Sequence, residues 1–458
     1  MPNSFIFDAN RCTGCGACQL ACSIENELGP ERSWRGIETF NPRRHPWAPL
    51  FHLSLACNHC DEPACMYACP ALAYSRDGKT GAVILDENKC IGCQYCLWAC
   101  PFDAPVFDKG LGLMSKCTFC NHRLQEGLKP ACTTHCPTGA LDFADLPEEQ
   151  LVNEIEGFPQ TGIGPRIQIR PLAKGRHLPV MTASTVAETV AAAAGSSRSD
   201  ISLKSEWTLM LFTSAAAALV GVVAASVKNA ASINPFAFVG AAGVTMGLAT
   251  LHLGRLERAY RAILNLRRSW LSREVVTIPA FLVLGSLYAF SGPSAVALGA
   301  AATLVGFLGL ACADQVYSVL RPSTPVYHHS ASVVWTGFFF AGVFSGTAWL
   351  AGIFGFGKLG LYTLRKLELI DTGRPVRPVA TAARTLCGLV LPAILWLVDF
   401  QGWFPAIVAG VVLGELIDRG EYYEGLESES PRREMDSALQ RRVGEGDPSS
   451  RRFAAAAS

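Results

Sequence analysis

Residues 90–101 read CIGCQYCLWACP, four cysteines at steps of three, three and four, closed by a proline. The same unit stands near the start at Cys12, Cys15, Cys18 and Cys22 (CTGCGACQLAC). It recurs with a longer step before the third cysteine at Cys57, Cys60, Cys65 and Cys69 (CNHCDEPACMYACP), and at Cys117, Cys120, Cys132 and Cys136 (CTFCNHRLQEGLKPACTTHCP). These groups use sixteen of the eighteen cysteines, all before residue 140, and leave none over in that half. A lone C-x2-C pair is common in zinc ribbons, but four repeats of a four-cysteine unit exceed what tetrahedral zinc needs. Disulfides fit less well still, because thiols at metal-ligand spacing point to cluster assembly in a reducing compartment.

The first and third groups match the C-x2-C-x2-C-x3-C run of bacterial ferredoxins, in which three cysteines hold one [4Fe-4S] cube and the fourth reaches across to another. A tight Cys-x-x-Cys turn, often with Gly, lets three thiolates and several backbone amides face one cube. Pro70, Pro101 and Pro137 then turn the chain away. Four [4Fe-4S] clusters, a chain of one-electron centres, are expected. The crossover rule demands that groups exchange their last cysteine, but spacing does not say which groups are partners.

Beyond residue 205 the composition changes. The expected fold is an α+β ferredoxin-like dicluster domain over residues 1–177 (two 2[4Fe-4S] units), then an all-α polytopic membrane bundle of seven or eight helices over 206–420. An Ala/Ser/Thr-rich linker at 178–205 would join them, and a charged tail at 421–458 reads as disordered. Apolar segments lie near 206–227, 236–254, 275–291, 295–313, 332–353, 385–400 and 403–418, each close to the ~20 residues that span a bilayer. A weaker stretch at 353–370 leaves the count at seven or eight. Cys312 and Cys387 read as small buried apolar residues. The net charge of +1 gives no case for a nucleic-acid partner. The start, MPNSFIFDANRC, shows neither a Sec nor a twin-arginine signal.

If the cysteine domain lies on one face, the second span returns to that face, so His252 surfaces there. Glu274, opening the third span, and the loop DQVYSVLRPSTPVYHHS share that face. Ionisable groups at such depth are costly and therefore candidates for function. A lipid quinol gives up two electrons and two protons, whereas a cube takes one electron and no proton. A proton acceptor is needed at the quinol, and His252 or Glu274 suits that role. The plainer reading makes both interfacial residues that hydrogen-bond the loop.

Residues 1 to about 175 resemble the electron-transfer subunit of the dimethyl sulfoxide reductase family of membrane-bound molybdopterin oxidoreductases. The resemblance implies that groups one and four share two clusters, and groups two and three the other two. Cys12, Cys15, Cys18 and Cys136 would hold one cube, and Cys117, Cys120, Cys132 and Cys22 its neighbour. Cys57, Cys60, Cys65 and Cys100 would hold a third, and Cys90, Cys93, Cys96 and Cys69 a fourth. Some relatives lack the second cysteine of group three and hold a three-iron cluster; the presence of Cys93 implies four irons. Residues 206–420 resemble the membrane-anchor subunit of the same family, on His252-Leu253-Gly254, Ser272-Arg273-Glu274 and Gly414-Glu415-Leu416-Ile417 with Arg419 and Gly420. That resemblance implies menaquinol binding at His252 and Glu274, and a separate molybdopterin catalytic subunit as partner. The fusion of the two parts, the sixth span and the basic loop after His252 depart from the family pattern. An odd number of spans would put Glu415 on the other face.

Close to the first four spans, the cysteine-domain face carries Arg198, Lys204, six arginines between residues 255 and 273, and Arg321, against Lys228 opposite. By the positive-inside rule that face is cytoplasmic, in an integral inner-membrane protein, whereas the resemblance implies a periplasmic face for the iron–sulfur domain, the alternative reading. The expected function is oxidation of menaquinol from the quinone pool and delivery of electrons through the clusters to the catalytic partner. Three rivals stand beside it: the same module run from a formate- or sulfur-oxidising partner into quinone, a ferredoxin merely anchored, and a cluster-driven ion transporter. The last requires paired ionisable residues within the bilayer, which the sequence alone does not display.

Overall fold

The computed structural model describes residues 3–29, 32–45, 48–173, 201, 203–320, 329–371, 375–426 and 429–446. They fall into two units, Met1–Arg198 with Ser428–Ser458, and Ser199–Glu427. The linker expected at 178–205 lies almost wholly outside the described residues.

In the first unit the alternation of NSFIFD puts Phe5 and Phe7 on the buried face of β1 (Asn3–Asp8). Three antiparallel hairpins follow: β2 (Gly36–Phe40) with β3 (Phe51–Leu55), β4 (Tyr74–Arg76) with β5 (Val83–Leu85), and β6 (Val106–Asp108) with β7 (Leu113–Ser115). β1 is the middle of a three-stranded sheet, antiparallel to β8 (Leu141–Asp145, Phe5 opposite Phe143) and parallel to β9 (Ile167–Arg170, Phe5 opposite Ile167). Short helices α1 (Ala17–Glu25), α2 (Ala64–Ala68), α3 (Tyr95–Trp98), α4 (Asn121–Gln125) and α5 (Ala131–Thr134) each carry or directly follow cysteines of one group. The core between these pieces is aromatic. Phe119 meets Phe5 and Phe143 edge-on, both at 4.9 Å, and Phe40 stacks on Phe51 at 4.8 Å.

The second unit is all helix: α6 (Leu203–Asn229), α7 (Pro235–Thr250), α8 (Trp270–Ser291), α9 (Val296–Val316), α10 (Val333–Phe344), α11 (Ala348–Asp371), α12 (Pro378–Thr385), α13 (Leu391–Asp399) and α14 (Phe404–Gly425). A π-helical turn at Leu386–Val390 joins α12 to α13. Pro392, which has no N–H to give, follows directly. Four helices are long and apolar enough to cross a membrane: Leu203–Asn229, Trp270–Ser291, Val296–Val319 and Pro378–Asp399. Two more, Pro235–Thr250 and Val333–Phe344, are apolar but shorter. The chain is therefore membrane-integrated through this unit. Small residues set the helix spacing, as expected where apolar lipid gives no drive for helix association. A methyl group on Gly309 of α9 would stand 2.6 Å from Ile278 of α8, and one on Gly306 would stand 2.7 Å from Val220 of α6.

Helix directions follow from contacts at the two ends. At one end, Asn229 of α6 donates to the Ser345 carbonyl after α10 (3.0 Å), and Ser226 meets Tyr288 of α8 (3.1 Å). At the other, Arg419 of α14 donates to the Ala331 carbonyl before α10 (2.9 Å), Asp314 of α9 accepts from Val333 (2.9 Å), and Gly420 lies against Leu203 of α6. The second end thus holds the start of α6, α8 and α10 and the finish of α9 and α14.

Three expectations are revised. The apolar run at 332–353 is two helices, because Ser345, Gly346 (φ +64°) and Thr347 interrupt it. The weak stretch at 353–370 is the body of α11, one continuous helix. The tail expected to be disordered from residue 421 contains the last residues of α14 and then α15 (Pro431–Gly446). α15 is mostly charged, yet Met435 and Ala438 are 4% and 5% exposed in the core of the first unit, beside β2. Their spacing of three places them on one helix face.

Candidate functional site

Each cysteine group is built on the same turn. The residue before the second cysteine has left-handed backbone in all four: Gly14 (φ +71°), His59 (+47°), Gly92 (+68°) and Phe119 (+64°). Glycine adopts this conformation at little cost; a histidine and a phenylalanine need support from their surroundings. They support each other, with rings stacked at 3.9 Å. His59 also accepts at Nδ1 from the Val83 amide (2.9 Å). Burial, with Lys116, Arg76 and Arg35 nearby, holds its imidazole well below the ordinary value, so it stands neutral. The turns aim backbone N–H groups at sulfur: Gly92 at Cys90, Phe119 at Cys117, Ala73 at Cys69 and Leu141 at Cys136, all at 3.4 Å.

The structure brings the groups together in fours. Cys12 is faced by Cys18, Cys136 and Cys15. Cys117 is faced by Cys22 and Cys132, and Cys120 by the same two. Cys60 is faced by Cys57, Cys100 and Cys65. Cys93 is faced by Cys69 and Cys90, and Cys96 by Cys93 and Cys69. Cys57 and Cys117 also face each other, so the second and third of these sets adjoin. All eighteen cysteines are free thiols. Among the described residues no three His, Cys, Asp or Glu groups converge tightly enough for a single ion.

Two buried cations that the sequence reading passed over complete these sites. Arg35, 1% exposed, lies among Cys132, Cys117, Cys18 and Cys22, over the Phe5 ring at 4.4 Å, and donates to the Ser54 carbonyl at 2.9 Å. Lys116, 3% exposed, lies among Cys57, Cys65 and Cys117 and donates to the carbonyls of Val83 and Cys117. In so dry a place free thiols resist ionisation: burial, with Cys57 adding to it, pushes Cys65 up to about 12. Iron, buried cations and N–H donors together would hold these sulfurs as thiolates, so the residues fit iron–sulfur clusters. No sequence signal marks Arg35 or Lys116, which are lone cations whose burial comes from tertiary packing.

In the helical unit, His252 and Glu274 lie at the same end, one following α7 and the other in the first turns of α8. No hydrogen bond or ion pair joins them among the described residues. His252 is half-buried, its imidazole bonded to the Ala249 carbonyl and its Nδ1 without a partner. Glu274, 7% exposed, faces Arg419 and Asp314 instead. The arginine-rich segment between them contains a 3-10 helix (Leu256–Ile263). Arg273 folds back onto the carbonyls of Leu266 (2.9 Å) and Arg267 (2.8 Å) and over Trp270.

The same end holds paired ionisable residues, which the sequence alone did not display. Glu415 of α14 accepts from Lys358 of α11 (2.9 Å), Arg384 of α12 (2.8 Å) and Thr336 of α10 (2.7 Å). Asp418 lies 3.5 Å from both Arg384 and Arg365 and accepts from Ser330 at 2.8 Å. Glu421 pairs with Lys366 at 2.8 Å and with Tyr362 at 2.7 Å. Lys358 and Arg384 are fully buried. Arg384 reaches Glu415 because Gly388 and Gly414 let the two backbones touch; a methyl group on Gly388 would sit 2.6 Å from Gly414. A helical signal was available: Lys358, Tyr362 and Lys366 recur every four residues along α11, as Glu415, Asp418 and Tyr422 do at three and four along α14.

Comparisons with known proteins bear on the first unit. A family model described as a 4Fe-4S dicluster domain matches residues 49–146. The probable anaerobic dimethyl sulfoxide reductase protein YnfG of Escherichia coli is 42% identical over 152 residues, 31% of this chain and 74% of that one. A component of the anaerobic dimethyl sulfoxide reductase of Haemophilus influenzae is 42% identical over 153 residues, with the same shares. A component of the tetrathionate reductase of Salmonella typhimurium is 37% identical over 147 residues, 31% of this chain and 58% of that one. On this cysteine architecture and these likenesses, the protein belongs to the iron–sulfur subunit family of the dimethyl sulfoxide reductases and their relatives, continued here by an apolar helical region consistent with a fused anchor.

Proposed function

We propose that this protein oxidises menaquinol in the membrane and passes the electrons through four [4Fe-4S] clusters to a separate molybdopterin subunit. The observation that carries the reading is the joining, in one chain, of four sets of mutually facing cysteines to a membrane unit with a buried carboxylate and, at the same end, an imidazole whose buried Nδ1 has no partner. When bound, the clusters take and give electrons singly. The ligand sets we propose are Cys12, Cys15, Cys18 and Cys136; Cys117, Cys120, Cys132 and Cys22; Cys57, Cys60, Cys65 and Cys100; and Cys90, Cys93, Cys96 and Cys69. Arg35 and Lys116 counter the thiolate charge between neighbouring sets. Cys15 is exposed and Cys12 and Cys136 half-buried, which suits the first set for handing electrons to the partner.

At the membrane, quinol becomes quinone by losing two electrons and two protons. His252 has a free Nδ1 able to accept one proton, and Glu274 can take the other. We assign eight crossings. The helix α15 belongs to the same unit as β1, which supports an even number of crossings between residues 203 and 425, with α11 as the eighth. Both connections then lie on the face rich in arginine, which we assign to the cytoplasm. Among the described residues the buried ion pairs gather towards one end of the bundle, which favours a quinol site over a transmembrane ion path.

The test is reduction of the clusters in the full-length protein by a menaquinol analogue, followed by electron paramagnetic resonance. His252→Arg should abolish reduction by quinol and leave reduction by dithionite intact. Equal quinol reduction in the variant would sink the proposal.

A further inference from the structure

Arg419 of α14 is 2% exposed and has more donors than the protein satisfies. Its Nη1 donates to the Ala331 carbonyl at 2.9 Å, while Nε and Nη2 are buried without a partner. The nearest acid, Asp314, is 3.9 Å from Nη1, but its oxygens already accept from Ser332 (2.5 Å), Val333 (2.9 Å) and Val334 (3.2 Å) at the start of α10. Three tyrosine rings surround the guanidinium, Tyr422 at 4.8 Å and Tyr317 and Tyr423 at 5.2 Å. The hydroxyls of Tyr317 and Tyr423 bond each other, whereas that of Tyr422 is buried and unpartnered. The site therefore presents two guanidinium nitrogens and one hydroxyl as donors with no matching acceptor. Buried donors left in that state cost free energy, so the arrangement calls for an acceptor oxygen from outside the protein. Glu274 also faces this guanidinium.

We propose that Arg419 and Tyr422 donate to a headgroup oxygen of the quinone or quinol, with Glu274 as the facing carboxylate. This deepens the quinol reading and rests on it. A carbonyl or hydroxyl oxygen on a flat ring satisfies all three donors among the tyrosines, without bringing a second full charge beside Glu274 and Asp314. A lipid phosphate shares the acceptor chemistry and is separated from quinol by the probe, a quinol analogue whose binding does not depend on donors that serve a phosphate.

The experiment titrates a fluorescent hydroxyquinoline N-oxide, a quinol analogue, into the full-length protein in phosphatidylcholine nanodiscs. Arg419→Gln should weaken binding about tenfold or more, and Tyr422→Phe, which keeps the ring, about fivefold. Both variants should give the wild-type cluster signal after dithionite, which checks that they fold. If wild type and variants bind within twofold of one another while His252→Arg binds poorly, this proposal is wrong and the quinol site stands. If wild type does not bind, both fail. If the variants differ from wild type only in nanodiscs containing anionic lipid, the donors serve a phosphate and the proposal is again overturned.

Discussion

Replacing Glu415 by glutamine isolates the buried charge at the end of the bundle. The carboxylate is 3% exposed and takes three bonds of 2.7–2.9 Å, two of them from fully buried cations. Glutamine keeps the volume and one acceptor oxygen but removes the charge. Among the described residues Lys358 then has no acidic partner within bonding distance, and Arg384 keeps Asp418 at 3.5 Å. Breaking a buried pair by removing one partner costs about 3–5 kcal/mol, because the other charge stays buried and uncompensated. The retained acceptor places Glu415→Gln near the lower figure. For a unit of this size that corresponds to roughly 6–12 °C in melting temperature. Tryptophan fluorescence of the full-length protein in nanodiscs, read during heating, measures it. The double variant Glu415→Gln with Lys358→Met should recover more than half the loss, since removing charge and partner together is often neutral. A single variant melting within about 2 °C of wild type, or a double variant melting below the single, would refute the reasoning.

Two further outcomes concern the first unit. Met435→Ala on α15 opens a cavity against Gly157, whose position beside Met435 leaves no room for a side chain, and should cost about 2–4 kcal/mol in denaturant unfolding of that unit. A change under about 0.5 kcal/mol would show that α15 is not part of its core. Glu25 of α1 binds His122 (2.8 Å) and Arg123 (3.0 Å) of α4, and the His122 bond, with Arg123 adding to it, holds its carboxyl below the ordinary value. The stabilisation, at most about 1 kcal/mol at such an exposed site, is present above the free glutamate pKa of ~4.3 and lost as pH falls through the depressed value. Glu25→Gln should therefore be less stable than wild type at pH 6 and equal to it below about pH 3; a difference that persists at pH 3 contradicts this.

Much of the cluster site was legible because ligand spacing is local: Cys90, Cys93 and Cys96 face one point through a turn their own sequence encodes. Which set receives Cys100 or Cys136 depends on how hairpins pack, and spacing is silent there. Hydropathy found α6, α8 and α9, but α11 was faint because Lys358, Tyr362 and Lys366 dilute an apolar helix whose polar stripe is buried against α14. The ion pairs were hidden because their members stand alone in separate segments, and only a tertiary contact such as Gly388 on Gly414 joins them. α15 was missed because its few buried residues, Pro431, Met435 and Ala438, are outnumbered by charged and polar ones.

The placement of α15 also sets an order of events during synthesis. The cysteine sets, β1, β8 and β9 have all been made by residue 170, but Met435 and Ala438 emerge only after about 260 further residues, which include every membrane helix. At 5–20 residues per second the aromatic core waits roughly 10–50 s for its last side chains. During that interval the side of the unit beside β2 lacks the side chains of α15 that pack there.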